Sequence, residues 1–344
     1  MNRPQVLRWG VLGAAQIALR QVLPAFSVAA HAQVTAIAAR DPERARAVAH
    51  DFRIAKVFSG YAALLADPQI DAVYIPLPND LHVSWTVQAL EAGKHVLCEK
   101  PLALNVADAE RVAEAVHRTG RHVAEAYMIR FHPQWRCAVQ IVRAGELGEL
   151  RALQCWFAYD NPAGENLRNS PAHGGGALYD VGGYALMAGR LLFGSDPGRV
   201  IGLFSRPSEA AVDALTSGLM DFPGGAHLQF GVSTCLSRLQ SVVAYGTRGR
   251  MHIEAPFNPT PSLPTRLRID DGRDLYGGGM RTVLIPAANQ YAEQLDTFSR
   301  AVLRGDPPPY GIEDALVNAR VLDALFRSEH SGKWEIPGER TTGF

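Results

Sequence analysis

The feature that most constrains the fold is the regular alternation of short apolar runs with longer amphipathic runs between residues 7 and 128. This alternation is typical of βαβ units, whose strands form a parallel sheet. The predicted strands are Leu7–Leu12, Val34–Ala39, Ala72–Ile75, His95–Cys98 and Val123–Ala126. The predicted helices between them are Ile17–Ala30, Pro42–Asp51, Leu81–Ala92 and Ala107–Thr119. The first part of the chain is therefore predicted to be a doubly wound α/β domain.

The pattern changes after residue 131, where strand-like runs follow one another from Arg151–Tyr159 to Thr282–Ile285 with few helices between them. Consecutive strands without crossover helices predict a largely antiparallel sheet. The helices expected in this part are Gln134–Ala144, Leu178–Phe193, Tyr291–Arg304 and Glu313–Ser328. A chain of 344 residues exceeds the ~250–300 residues that one core usually holds. We therefore expect a parallel α/β domain over residues 1–127 and an α+β domain with a large, mainly antiparallel sheet over residues 128–344.

Composition argues against several classes of protein. Lys plus Arg and Asp plus Glu each number 34, so the chain lacks the positive excess of nucleic-acid-binding proteins. Cys98, Cys137, Cys155 and Cys235 form no Cys-x-x-Cys pair, which argues against a metal or redox-dithiol site. The sequence shows no export-signal pattern and no apolar run of membrane-spanning length. We expect a cytoplasmic protein that binds a small molecule and no metal, nucleic acid or membrane.

A glycine-containing turn follows the first predicted strand. Backbone N–H groups at such a strand-to-helix turn can hold a pyrophosphate, as in dinucleotide-binding Rossmann domains. The second and third glycines of the Gly-x-Gly-x-x-Gly pattern would fall on Ala15 and Ala18, so the pattern is degraded and a purely steric role for the glycines stays open. The candidate cofactor-binding residues of this turn are Gly13, Ala14, Ala15, Gln16 and Ile17.

The residue that follows the second predicted strand bears on the choice between NADP and NAD. Arg40 stands there, and an arginine at this position accommodates the 2′-phosphate of NADP. Asp41 next to it leaves NAD possible, because an acidic residue can bind the ribose hydroxyl of NAD. A solvated charge at a strand exit is the alternative interpretation of Arg40. NADP is the preferred expectation.

Four further segments carry candidate chemistry: residues 74–82, Glu99-Lys100-Pro101, residues 126–133, and the run from Gly174 to Tyr184 that contains three consecutive glycines. The first three follow predicted parallel strands, where ligands bind in open α/β sheets. In the fourth, Asp180 and Tyr184 are four residues apart and would share one face of a helix.

Together these motifs resemble the Gfo/Idh/MocA family of NAD(P)-dependent oxidoreductases over essentially the whole chain. The matching motifs are Glu-Lys-Pro at 99–101, Pro-Asn-x-x-His at 78–82, and Asp-x-Gly-x-Tyr within 180–184. Many members have histidine where this chain has Tyr184. Tyrosine after a triple glycine resembles the branch that contains NADP-dependent D-xylose dehydrogenase, glucose–fructose oxidoreductase and dimeric dihydrodiol dehydrogenase.

The resemblance implies roles for individual residues. Lys100, Asp180 and Tyr184 would form the catalytic set, with Lys100 and Tyr184 in proton transfer. Further cofactor contacts would come from Leu77, Pro78, Asn79, His82, Glu99 and Lys100. The candidate substrate residues are Arg130, Tyr159, Asn166, Arg168 and Tyr291, with Trp156 as a candidate apolar wall. His82, Lys100, Asp180 and Tyr184 each have a packing, capping or solvated-charge alternative.

The implied activity is hydride transfer between NADP or NAD and a CH–OH carbon of a sugar or polyol, of the aldose dehydrogenase or keto-sugar reductase type. The alternatives are a non-catalytic NAD(P)-binding regulator of the same fold and a trans-dihydrodiol dehydrogenase. The resemblance also implies a homodimer or homotetramer that pairs through the C-terminal sheet. Alternating apolar residues such as Leu228, Phe230 and Val232 are compatible with a sheet whose two faces are both covered.

Overall fold

The computed structural model describes residues 6–161, 166–208 and 211–339. The described chain divides into two compact units, each drawn from two stretches of sequence. The first unit lies within Met1–Met128 and Gln290–Leu316, and the second within Ile129–Asn289 and Val317–Phe344. Glu165, part of the polar stretch before the triple glycine, falls outside the described residues.

The first unit contains a six-stranded parallel sheet in the order β3-β2-β1-β4-β5-β6. Its strands are β1 (Leu7–Leu12), β2 (Ala32–Ala38), β3 (Lys56–Phe58), β4 (Ala72–Ile75), β5 (His95–Cys98) and β6 (Val123–Glu125). Its crossover helices are α1 (Leu23–Phe26), α2 (Pro42–Phe52), α3 (Tyr61–Leu65), α4 (Asn79–Glu91) and α5 (Val106–Thr119). This order is the Rossmann order, in which the chain reverses its direction of progress between β1 and β4.

The prediction of one continuous α-helix over Ile17–Ala30 is wrong. A π-helical turn (Ala18–Val22) precedes the short helix α1. Pro24 supplies a physical reason, because proline has no N–H to donate to the carbonyl of Arg20, as a continuous α-helix would require. The short elements β3 and α3 were not predicted.

The second unit contains an eight-stranded sheet in the order β14-β13-β12-β11-β7-β10-β9-β8. The neighbours β7 and β10 are parallel, and the other pairs are antiparallel. Its helical elements include α6 (Pro133–Arg143), a π-helical turn (Leu178–Gly182) and α7 (Gly183–Phe193). The strands are β7 (Leu150–Asp160), β8 (Arg199–Ser205), β9 (Leu215–Phe222), β10 (Ala226–Ser233), β11 (Cys235–Gly246), β12 (Arg250–Ile253), β13 (Thr265–Asp270) and β14 (Met280–Ile285). The predicted fold class is confirmed.

One face of the eight-stranded sheet is buried. Leu228, Phe230 and Val232 alternate along β10 and are all buried, and α7 contacts β7 and β10. Successive side chains of a strand point to opposite faces of its sheet. The other face therefore carries residues such as Leu219, which is exposed.

Two helices complete the chain, α8 (Gln290–Arg304) and α9 (Ile312–Ser331). The sequence assigned both to the second domain, whereas α8 packs with the first unit. The buried ring of Trp9 on β1 lies 5.3 Å from that of Phe298, and its Nε1 donates to Ser299 Oγ at 3.1 Å. The apolar face of α8 thus packs against β1, which is distant from it in sequence.

None of the helices within the described residues is long and apolar enough to cross a membrane. Within the same ranges, no group of three or more His, Cys, Asp or Glu side chains is arranged to hold a metal ion.

Candidate active site

The turn after β1 has the backbone geometry of a dinucleotide site. Gly13 has φ +119°, a conformation that residues with a Cβ rarely adopt. A Cβ added to Gly13 would lie 3.1 Å from Leu77 Cδ2. The Gly13 N–H donates to the Ala38 carbonyl at 2.7 Å, which fixes the turn beside the end of β2. The turn fits a nicotinamide dinucleotide, because a side chain at Gly13 would fill the cradle where the cofactor backbone must approach.

Arg40 and Asp41 have different environments at the end of β2. Asp41 caps helix α2, with its Oδ1 accepting from the Glu43 N–H at 3.0 Å and the Arg44 N–H at 3.3 Å. Arg40 is exposed. Because the Asp41 carboxylate already accepts hydrogen bonds from the start of α2, Arg40 is the better candidate to contact a ribose substituent.

Arg44 is a residue that sequence reasoning missed. Its Nη2 donates to the Ala14 carbonyl at 2.7 Å and so brings a second cation to the glycine turn. Its position in the first turn of α2, just after the aspartate that caps this helix, is the sequence feature that could have indicated its proximity to the glycine turn.

His82 connects the loops that follow β4 and β5. It is fully buried, and its Nδ1 and Nε2 lie 2.7 Å from the carbonyl oxygens of Pro101 and Leu77, respectively. Burial lowers the pKa of His82, and the two carbonyl contacts oppose that shift. His82 therefore helps to hold the loop that contains Leu77 next to the loop that contains Pro101. Its direct contact with a cofactor stays a prediction.

Glu99 and Lys100 follow β5. The Tyr74 hydroxyl donates to Glu99 Oε1 at 2.6 Å, and the Lys100–Pro101 peptide bond is cis. Burial, together with the charge of Glu99, holds the pKa of Tyr74 well above its usual value. The same two causes raise the pKa of Tyr291, which is buried. The predicted substrate residue Tyr291 therefore belongs to the surroundings of Glu99.

Glu125 was also missed by sequence reasoning. It is buried at the end of β6, and its Oε1 accepts from the Leu102 N–H at 2.8 Å. It thus supports the backbone just after the Glu-Lys-Pro loop. A charged residue at the end of a predicted parallel strand was the signal.

In the second unit, Tyr184 lies on the first turn of α7 and is buried. Its ring packs against Phe157 and Phe257, each with ring centroids 5.3 Å away. Phe157 and Phe257 stack on each other at 5.1 Å. These contacts fix the position of the Tyr184 ring.

Asp180 precedes Tyr184 and lies in the π-helical turn Leu178–Gly182 rather than in the continuous α-helix that was predicted. Turns of this kind are frequent at functional sites. Asp180 Oδ2 accepts from the Tyr159 hydroxyl, and Arg168 Nε lies 3.2 Å from the same oxygen. Burial and the charge of Asp180 raise the pKa of the Tyr159 hydroxyl. The structure thus brings together three predicted site residues.

The amide side chains near Arg168 contact one another. Asn166 Nδ2 donates to Asn161 Oδ1 at 2.7 Å, and Asn161 Nδ2 donates to Asn169 Oδ1 at 2.8 Å. Asn166 Oδ1 also accepts from the Arg168 N–H at 3.1 Å. These bonds shape the loop, and substrate contact by Asn166 stays a prediction.

The environment of Arg130 favours packing. Arg130 is buried, with its Nε 3.1 Å from Met187 Sδ. His132 next to it caps α6 through Nδ1, which accepts from the Gln134 N–H at 3.1 Å. Burial lowers the pKa of His132 to about 4.

Trp156, the candidate apolar wall for a sugar ring, does not lie on the sheet face that Tyr184 packs against. Phe157 contacts Tyr184, so the alternation along β7 places Trp156 on the opposite face of the sheet. There its ring covers Gly231, where an added Cβ would collide with it. A shift of one residue in a strand exchanges the two faces, and the sequence pattern around Trp156 did not resolve that choice.

Asp213 was not predicted. It is buried, and its Oδ2 accepts from the Leu178 N–H at 2.8 Å and from Thr216 Oγ1 at 2.6 Å. Burial raises the pKa of Asp213. It supports the start of the π-helical turn that carries Asp180 and leads into α7 with Tyr184. An aspartate in an otherwise apolar run before β9 was the only signal.

A Rossmann unit whose first strand-to-helix turn is shaped by Gly13, followed along the chain by an α+β unit with a buried tyrosine on the helix that begins at Gly183, is the organisation of an NAD-binding oxidoreductase. The family comparison agrees. Residues 7–127 match the model of the oxidoreductase family with an NAD-binding Rossmann fold, and residues 135–252 match the GFO/IDH/MocA C-terminal domain. The chain belongs to the Gfo/Idh/MocA family of oxidoreductases.

Three relatives indicate the range of activities near this chain. It is 35% identical to a D-xylose 1-dehydrogenase (NADP(+)) of Haloferax volcanii, over 95% of this chain and 98% of that one. It is 37% identical to a dTDP-3,4-didehydro-2,6-dideoxy-alpha-D-glucose 3-reductase of Streptomyces violaceoruber, over 95% and 96%. A 3-ketoreductase of Actinomadura kijaniata, solved with NADP and TDP-benzene, superposes with a TM-score of 0.87 at 31% identity, over 94% and 98%.

Proposed function

We propose that this chain is an NADP-dependent oxidoreductase that transfers a hydride to or from a CH–OH carbon of a sugar or polyol. The observation that carries the proposal is the buried Tyr184, which lies on the helix that begins at Gly183 and follows Asp180 by four residues, in a chain of this family. The named substrates of two relatives, D-xylose and a dTDP-linked keto-sugar, are both carbohydrates. An aldose dehydrogenase and a keto-sugar reductase share this chemistry in opposite directions.

We assign the cofactor to the first unit. Gly13, Ala14, Ala15, Gln16 and Ile17 would hold the pyrophosphate through the turn. Arg40 would meet the 2′-phosphate of NADP with support from Arg44. Leu77, Pro78, Asn79, His82 and Glu99 would contact or support the nicotinamide half. When bound, the nicotinamide supplies the hydride acceptor or donor.

Tyr184 would exchange the proton of the reacting oxygen. Oxidation needs a base that removes the hydroxyl proton, and reduction needs an acid at the same place. A free phenol titrates at about pH 10, so a nearby cation is needed to favour the phenolate at neutrality. Lys100 would supply that charge and hydrogen-bond the reacting oxygen. Asp180 would orient Lys100 or a substrate hydroxyl.

We also propose that a second copy of the chain covers the open face of the eight-stranded sheet. Exposed apolar side chains on three of its strands support this: Leu203 on β8, Leu219 on β9 and Tyr245 on β11. Light scattering after size exclusion would test it, with a dimer or tetramer expected and a monomer contradicting it. The cytoplasmic location inferred from the sequence stays part of this proposal.

The function is tested by following absorbance at 340 nm with NADP or NAD and a panel of aldoses, polyols, dTDP-linked keto-sugars and trans-dihydrodiols. We expect turnover with a carbohydrate and a preference for NADP. The matched variant Arg40→Asp should reverse or abolish that preference without unfolding the protein, because Arg40 is exposed. Preferred turnover of a trans-dihydrodiol would replace the substrate assignment. Cofactor binding without turnover of any substrate would favour the regulator alternative.

A further inference from the structure

The proposed function leaves unexplained the ion pair that Arg168 makes with Asp180. Arg168 Nε and the Tyr159 hydroxyl converge on one oxygen, Asp180 Oδ2. The Arg168 side chain is 53% exposed, whereas that of Asp180 is only 12% exposed. We propose that Arg168 and Tyr159 are positioning residues that keep Asp180 ionised and hold its carboxylate in one orientation. This inference rests on the proposed function, in which Asp180 works beside Tyr184.

The triple glycine gives the Arg168 loop its close approach to the helix start. The Gly176 N–H donates to the Arg168 carbonyl at 2.9 Å, and a Cβ at Gly175 would collide with that carbonyl oxygen. Gly174 and Gly176 have φ values of +66° and +113°, which favour glycine. At Gly176 a Cβ would also collide with the Asp213 carboxylate. At each of the three positions, either the backbone conformation or the lack of space for a Cβ therefore requires glycine.

The loop that presents Arg168 is organised by its own hydrogen bonds. The Asn169 N–H donates to the Asn166 carbonyl at 2.9 Å, and the Arg168 N–H donates to Asn166 Oδ1. The second donor to Asp180, Tyr159, comes from β7. Because burial and the charge of Asp180 both raise the pKa of Tyr159, its phenol stays protonated and remains a hydrogen-bond donor at neutral pH.

Two donors on one carboxylate oxygen have an electrostatic consequence. An adjacent guanidinium lowers the pKa of a carboxylate by about 1–3 units when both groups are buried, and by less when the arginine is exposed. The charged or titratable groups recorded against Asp180 include Tyr159 from β7 and Arg168 from the loop, and Tyr184 lies on the following turn. Loss of Arg168 removes a positive charge, so Asp180 should take up a proton at a higher pH.

The test compares Arg168→Gln, Arg168→Lys and Tyr159→Phe with wild type. The matched control is Arg151→Gln, since Arg151 is also half exposed and pairs with Glu149 at 2.7 Å in the same unit. Two quantities are measured: the acid limb of the pH profile of kcat/KM, and the titration of the Asp180 carboxyl carbon by 13C NMR, assigned with Asp180→Asn.

We expect Arg168→Gln to move both the acid limb and the Asp180 titration upward by about 0.5–1 pH unit. Tyr159→Phe should move them in the same direction, Arg168→Lys should restore most of the wild-type behaviour, and Arg151→Gln should change neither. A purely structural role would change stability or kcat without moving these midpoints.

An Asp180 titration that stays within about 0.2 pH unit of wild type in both Arg168→Gln and Tyr159→Phe would overturn the inference. The NMR titration does not depend on turnover. If the panel finds no substrate but the Asp180 titration moves as expected, the proposed function fails while the positioning of Asp180 by Arg168 stands. If substrates turn over and the Asp180 titration does not move, the proposed function stands and the positioning of Asp180 by Arg168 fails.

Discussion

Substitution of Gly13 by alanine should weaken cofactor binding more than it weakens the fold at large. Gly13 has φ +119°, and a Cβ there would lie 3.1 Å from Leu77 Cδ2. Holding a non-glycine residue in such a region costs about 1–3 kcal/mol. The turn can relieve that strain only by moving away from the backbone path that the cofactor requires. Since about 1.4 kcal/mol corresponds to a tenfold change in affinity, the Kd for NADP should rise about 5- to 140-fold.

The assay combines urea unfolding with a fluorescence titration of NADPH. The matched control is Gly120→Ala, because Gly120 has φ +64° at the end of α5 and nothing within 4 Å of an added Cβ. The control should lose about 1–2 kcal/mol of unfolding free energy with no change in Kd. If Gly13→Ala bound NADPH as tightly as wild type does, the cofactor could not depend on this turn.

Two further predictions concern stability. Burial lowers the pKa of His132 to about 4 from its ordinary 6.5, so the unfolded chain binds the proton more tightly and stability should fall as pH drops from about 6.5 toward 4. His132→Asn keeps an acceptor for the cap of α6 but cannot titrate, so its urea midpoint should fall less than that of wild type between pH 7.5 and about 5; equal losses would contradict this reading. Asp213→Ala leaves the Leu178 N–H and the Thr216 hydroxyl without their acceptor in a buried site and should lower the unfolding free energy by about 2–4 kcal/mol. Asp213→Asn, which keeps an acceptor oxygen, should lose less in the same denaturation experiment, and equal losses in the two variants would show that these hydrogen bonds do not matter.

Much of the first unit could be predicted from the sequence because its central strands are apolar on both faces. The bounds of β1, β4 and β5 are confirmed to the residue. The three-residue edge strand β3 is too short to show a period. The packing of α8 with β1 depends on contacts between residues about 290 positions apart, such as Trp9 and Ser299, which no local pattern encodes.

The candidate site was predictable where a motif marks a residue and unpredictable where a residue acts through its neighbours. Asp180, Tyr159 and Arg168 were all singled out, but their convergence on one carboxylate oxygen requires the folded chain. Asp213 and Glu125 each accept a hydrogen bond from a backbone N–H that is distant in sequence, so their neighbours in sequence do not reveal them. The two π-helical turns were missed because an apolar pattern does not distinguish a wide turn from an α-helical one.

The most direct test of the central claim is the turnover of Tyr184→Phe with the best carbohydrate substrate and NADP. The variant keeps the ring that packs against Phe157 and Phe257 and removes only the hydroxyl. The proposal predicts that kcat/KM falls by about 10²–10⁴, the range expected for lost acid–base catalysis, while the NADPH Kd and the unfolding free energy stay at wild-type values. A Tyr184→Phe enzyme that retained wild-type kcat/KM would contradict the assignment of proton transfer to Tyr184.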